Sequence, residues 1–99
     1  MTAVKVDAYV LDTLMADLVG HDRQPSAFLV FLFLWRLTLG ADIASSQVSL
    51  SDIATGTGLS KRAVQAGLNW LAKRKLIGVS RTGITAVPEY VVRRPWVRS

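Results

Sequence analysis

Residues 48–81 read VSLSDIATGTGLSKRAVQAGLNWLAKRKLIGVSR, and the fold turns on how this stretch is parsed. Val48–Leu50 predicts a short strand. Ser51 is the expected N-cap of a short helix, Asp52 to about Thr57, because its hydroxyl can accept from the amides left free at a helix start. Ile53 and Ala54 form the core side of that helix. Gly58 breaks it, Leu59 plugs the turn, and Ser60 caps a longer helix from Lys61 to about Arg74. On a wheel of about 100° per residue, Val64, Leu68 and Leu71 cluster on one side of the longer helix. Arg62, Ala66, Asn69 and Lys73 line the other side, with Gln65 beside them. One face belongs to a core, and the other is polar, basic and rich in hydrogen-bond donors.

Downstream, LIGVSRTGITAV predicts a hairpin in which Ile77 and Val79 alternate, Thr82-Gly83 turns, and a return strand starts at Ile84. Pro88 confines that strand to an edge or a bulge, since proline donates nothing to a ladder. Tyr90 and Val92 are expected to face the helices. Arg93, Arg94 and Arg98 then surround Pro95 and Trp96 in a basic tail, residues 93–99.

Two helices joined through Gly58-Leu59-Ser60 and followed at once by a hairpin make a helix-turn-helix with a wing. In strand, LSDIA, TGLS, AVQAGLNWL and the LI that enters the wing, the stretch resembles the winged helix-turn-helix family of bacterial DNA-binding regulators, in the style of the MarR and GntR groups. The resemblance implies that the helix from Lys61 enters the major groove, that the preceding helix braces it, and that the wing contacts flanking DNA. The residue types agree, because Arg suits guanine and Asn or Gln suits adenine in a groove that admits one α-helix. Arg62, Gln65 and Asn69 are the candidate base readers, and Lys61, Lys73 and Arg81 the candidate phosphate contacts. Ser60, Thr82, Arg93 and Arg94 complete the candidate DNA-binding set. One position departs from the family pattern: Lys75 stands where many relatives place a C-capping Gly, and a left-handed Lys costs about 1 kcal/mol relative to Gly. The wing turn, Arg81-Thr82-Gly83, reads as short, suited to touching phosphate rather than probing the groove.

Upstream of this unit, Val10, Leu11, Leu14, Met15, Leu18 and Val19 carry the spacing of an amphipathic α-helix from about Asp7 to Val19, with Gly20 as its stop and Asp12 and Asp17 as its solvated face. Pro25 and Ser26 open a second helix running to about Leu39, with Gly40 as terminator. That helix holds AFLVFLFLWRLTL, whose unbroken apolar run Ala27–Trp35 is far shorter than the ~20 residues needed to cross a bilayer. It is expected to be central, with Trp35 in the core and the Val10–Val19 helix as its lid, within the chain or across a two-fold axis. Trp70 is expected to cover the wing base, Trp96 to pack back on the domain or to stack in a partner, and Arg74 and Lys75 to be either a solvated helix end or phosphate contacts.

The whole chain, 99 residues with 51% apolar content, therefore reads as one mainly α domain with a small β-hairpin wing. Residues 1–20 form an added amino-terminal helix and candidate dimerisation element, and residues 25–92 the winged-helix core of three helices plus wing. Charge is divided: residues 1–49 hold three bases against five aspartates, whereas residues 50–99 hold nine bases against Asp52 and Glu89. A basic half facing something anionic points first to nucleic acid and next to an acidic membrane surface. With no cysteine, thiolate metal sites and disulfides are excluded, and His21 among scattered aspartates offers no cluster of metal-ligand spacing. No carboxylate pair sits in an apolar setting, His21 has no nucleophile at a suggestive spacing, and TGTG lacks the strand and Lys of a phosphate loop. An enzyme, a cofactor and a small-molecule ligand are not expected. The amino terminus lacks a signal peptide's order, so a cytoplasmic location is expected. The expected function is sequence-specific binding of double-stranded DNA by a homodimeric transcriptional regulator. The alternatives are a plasmid or phage replication or partition protein and a winged-helix protein-interaction module.

Overall fold

A helix that is apolar all round needs neighbours on several sides, and α1, Pro25–Leu37, has them. In the computed structural model, which describes residues 2–83 and 86–97, α1 touches the amino-terminal helix, α2 (Leu50–Thr57), α3 (Lys61–Lys73) and the sheet. Ala27, Val30, Phe31 and Leu34 are fully buried on it, and Trp35 nearly so. The Trp35 indole N–H donates to the Lys5 carbonyl at 2.8 Å, which pins the chain's first residues across the end of the helix. Pro25 stands in the first turn as expected. The helix ends at Leu37, two residues before the predicted limit, and Leu39–Ala41 continues as a single 3-10 turn.

The amino-terminal helix differs from the predicted α-helix. It consists of two segments wound with i→i+5 hydrogen bonds, Val10–Leu14 and Ala16–His21, and Gly20 lies inside it rather than stopping it. Its apolar pairs, Val10-Leu11, Leu14-Met15 and Leu18-Val19, recur every four residues, wider than the 3.6-residue turn of an α-helix. Val10, Leu14 and Leu18 are buried, while Leu11, Met15 and Val19 remain exposed.

Around the turn unit the boundaries shift for identifiable reasons. Ser49, not Ser51, caps α2: its hydroxyl accepts from the Asp52 N–H at 3.1 Å, which places Asp52 at the third helical position and draws Leu50 into the helix. The predicted strand therefore moves back from Val48–Leu50 to β1, Ser46–Gln47. Gly58 ends α2 with φ 78°, as its position suggested, and Ser60 caps α3 by accepting from the Ala63 N–H at 3.1 Å. At the far end of α3, Lys75 takes the left-handed conformation, φ 59°, that its position demands. The Leu76 N–H reaches the Leu71 carbonyl and the Lys75 N–H that of Ala72, the paired bonds of a Schellman stop built on a lysine.

The sheet is three-stranded and antiparallel, in the order β1-β3-β2, with β2 at Ile77–Ser80 and β3 at Glu89–Val92. Ile77 pairs with Val92 and Ser80 with Glu89, so the strands are joined by a long connection, residues 81–88, and not by a tight turn at Thr82-Gly83. Pro88 lies outside the ladder, its carbonyl accepting from the Val48 N–H, and β3 becomes the central strand. The predicted start of the return strand, Ile84, and Arg98 of the tail lie outside the described residues. Tyr90 and Val92 face the helices and are buried, as the alternation implied. The chain is thus mainly helical with one small antiparallel sheet, and no helix among the described residues is long and apolar enough to cross a membrane.

Candidate nucleic-acid interface

α3 is held from behind. Val64, Gly67, Leu68 and Leu71 are its buried residues, and Gly67 sets how closely it approaches α1. A side chain there would begin 3.2 Å from the Ala27 Cα and 3.3 Å from the Ser26 carbonyl oxygen, so the two helices meet almost backbone to backbone. The wheel pointed to the apolar residues of this face, but Gly67 carries no hydropathy signal and its role is visible only once α1 is in place.

The opposite face is free. Lys61, Arg62, Gln65, Ala66, Asn69 and Lys73 are all exposed, and α3 contains no acidic residue. The Gln65 amide donates to the Asn69 amide oxygen at 2.9 Å, an i,i+4 bond that orients both side chains. It leaves the Asn69 NH2 group and the Gln65 oxygen turned to solvent, a donor and an acceptor one helical turn apart. The Lys73 ammonium sits 5.3 Å from the centre of the Trp70 ring, a cation–π contact that steadies a long side chain at little cost to its charge. Ser60 is exposed, but its hydroxyl is engaged in capping the helix and so positions the N-terminal turn.

The remaining candidates do not share one surface. Arg81 and Thr82 are exposed where β2 opens into the 81–88 connection. Arg93 and Arg94 follow β3 at the other end of the sheet, separated from Arg81 by the length of the β2 ladder, about 13 Å. Arg94 is partnered, its guanidinium 3.3 Å from the Asp7 carboxylate, which also accepts from the Trp96 indole at 3.0 Å. Trp96 stacks on Tyr9, ring centres 4.7 Å apart, so it packs back on the molecule as expected.

At the C-terminal end of α3 the structure corrects three expectations. Trp70 does not cover the wing base; its indole N–H donates to Asp22 at 2.8 Å, against the end of the amino-terminal helix. Arg74 is not a solvated cation, since one guanidinium nitrogen bonds Asp17 at 2.7 Å and another bonds Asp22. Asp17 is accordingly an ion-pair partner and not merely part of a solvated face. These contacts span about half the chain in sequence, and no local pattern announces them. Asp22 is 6% exposed, and the hydrogen bond from His21 above all, then those from Trp70 and Arg74, hold its carboxyl down to about 2. His21 is pushed up in turn by its hydrogen bond to Asp22 and by the charges of Asp22 and Asp17. Arg74 is shifted up, chiefly by Asp17. The phenol of Tyr90 is raised by burial.

Asp17, His21 and Asp22 bring ligand atoms within 4.8 Å of one another, a gathering the spacing of His21 and the aspartates had not suggested. Arg74 bridges both carboxylates, so the group forms an internal ion-pair network. No family model, no curated protein and no solved structure matches this chain.

Proposed function

We propose that the chain is a winged helix-turn-helix protein that binds double-stranded DNA in a sequence-dependent way and regulates transcription. In this reading α3 lies in the major groove and the 81–88 connection acts as the wing along flanking backbone. The observation that carries it is the sidedness of α3: a face of Lys61, Arg62, Gln65, Asn69 and Lys73 without acids, on a helix whose other face is locked to the core. Arg62, Gln65 and Asn69 supply the groups that distinguish base edges, and Lys61, Lys73 and Arg81 supply charge for phosphates. A plasmid or phage replication or partition protein would use the same face in the same way.

The exposed row Leu11, Met15 and Val19 favours a homodimer paired through the amino-terminal helices, which would present two copies of α3 to a two-fold symmetric site. Selection of bound fragments from random duplex DNA, with the mass of the protein in solution measured alongside, tests both statements. Enriched fragments with inverted half-sites and a dimeric mass are expected. If about six phosphates are neutralised, log affinity falls with log salt at a slope near −5. Absence of any salt-sensitive shift of duplex DNA would overturn the reading in favour of a protein-docking module.

A further inference from the structure

Two backbone features converge on one concavity at the base of the sheet. The first is Lys75, held at φ 59° in a conformation that Gly adopts freely and Lys adopts at a cost. The second is Gly78 on β2: a Cβ there would lie 3.0 Å from an Arg93 Nη and 3.4 Å from its Nε, so the bare glycine lets the guanidinium lie across the strand. Lys75 and Arg93, together with Arg94, Val91, Val92 and Pro95, line an open hollow of about 440 Å³. Among the described residues no acidic side chain lines it, and of its three cations Arg94 alone has a carboxylate partner, Asp7. Val91 and Pro95 add an apolar wall.

The hollow sits at the Ile77–Val92 end of the sheet, opposite the end where Arg81 opens the long connection. It is therefore removed from the wing, and its cations have no evident use in reading a groove. We infer that it is an anion site for the phosphate group of a small phosphorylated ligand. Arg93 offers a planar fork to two phosphate oxygens, Lys75 a point charge beside it, and the Val91-Pro95 wall a surface for the rest of the molecule. The inference does not depend on DNA binding by α3.

Titration of inorganic pyrophosphate into isotope-labelled protein, at ionic strength held constant with sodium chloride, tests it by amide chemical shifts. Saturable changes confined to Lys75, Gly78, Val91 and Arg93 are expected. Arg93→Ala should weaken binding by about tenfold or more, the loss of a charge-assisted contact, and Arg62→Ala should leave it unchanged. Lys75→Gly separates binding from folding: it should raise the melting temperature by relieving the left-handed lysine, yet weaken pyrophosphate binding. Shifts spread equally over Lys61, Arg62 and Arg81, or none that saturate, would overturn the site. So would a short random duplex that moves the same four amides and displaces pyrophosphate, for the hollow would then be a DNA-backbone contact.

Discussion

α1 and α3 are both thirteen residues long, and they use their side chains in opposite ways. α1 is apolar on nearly every side and touches most elements of the fold; α3 is apolar on one side only and leaves the other bare. A helix with neighbours on several sides leaves little surface for a partner: of α1 only Pro25, Leu29 and Arg36 are exposed, and the rest of its residues answer to packing. A helix with a single buried face needs few core residues, and the rest of its composition is open to recognition. The two meet at Gly67 and Ala27, where the buried helix fixes the height and rotation of the exposed one. Position in the fold thus separates two equal helices into a scaffold and a candidate reader.

That contrast can be broken most directly at Phe31, which is fully buried in α1. Phe31→Ala should cost about 3–5 kcal/mol in denaturant unfolding, whereas Gln65→Ala on the bare face of α3 should stay within about 0.5 kcal/mol of the parent. Comparable losses for the two would erase the distinction between scaffold and reader.

The next largest effect concerns the network that ties the end of α3 to the amino-terminal helix. Asp22 titrates at about 2 in the fold against an ordinary value of 3.8, so the folded state favours its ionised form. The stability this contributes, about 2 kcal/mol, is present above pH 4 and lost as pH falls towards 2. His21 works in the opposite sense: its raised pKa contributes stability below its ordinary value of 6.5 that is lost as pH rises through the folded value. Urea unfolding from pH 7 to pH 2 should therefore show a steep acid limb that Asp22→Asn flattens. An unchanged limb in that variant would mean that the network does not hold the helices together.

On the exposed face, Arg62→Ala should cost about 1–3 kcal/mol on the preferred duplex and relax its specificity. Equal losses on preferred and random DNA, measured by titration at one salt concentration, would remove the base-reading role. Lys73→Ala should have the smallest effect, weakening all sequences alike and reducing the salt slope by about one. A sequence-dependent loss for Lys73→Ala would shift the boundary between phosphate contact and base reader along α3.

Much of this arrangement was legible in the chain because it depends on local periodicity. Val64, Leu68 and Leu71 share a face at helical spacing wherever the helix is placed, so the bare face of Arg62, Gln65, Asn69 and Lys73 followed from arithmetic. Gly58 and Ser60 announced a stop and a start through backbone freedom and capping. Errors arose where two local solutions compete. Ser49 and Ser51 can both cap, and it is the Ser49 hydroxyl that accepts, from the Asp52 N–H. The every-fourth-residue repeat of Val10, Leu14 and Leu18 passes for an α-helical stripe, although the wider winding is the one adopted. Thr82-Gly83 has the composition of a tight turn, yet the ladder leaves the whole of 81–88 to the connection.

By itself the sequence determined roughly where the helices lie, which face of each is apolar and where the positive charge is concentrated, because these depend on neighbours within a few residues. Only the tertiary structure decided which cations are free and which are partnered. Arg74 and Arg62 look alike in the chain, but one is drawn onto Asp17 and Asp22 from some fifty residues away and the other has no carboxylate in reach among the described residues. Coulombic and hydrogen-bonding energies depend on separation in space, and separation along the chain carries no such information.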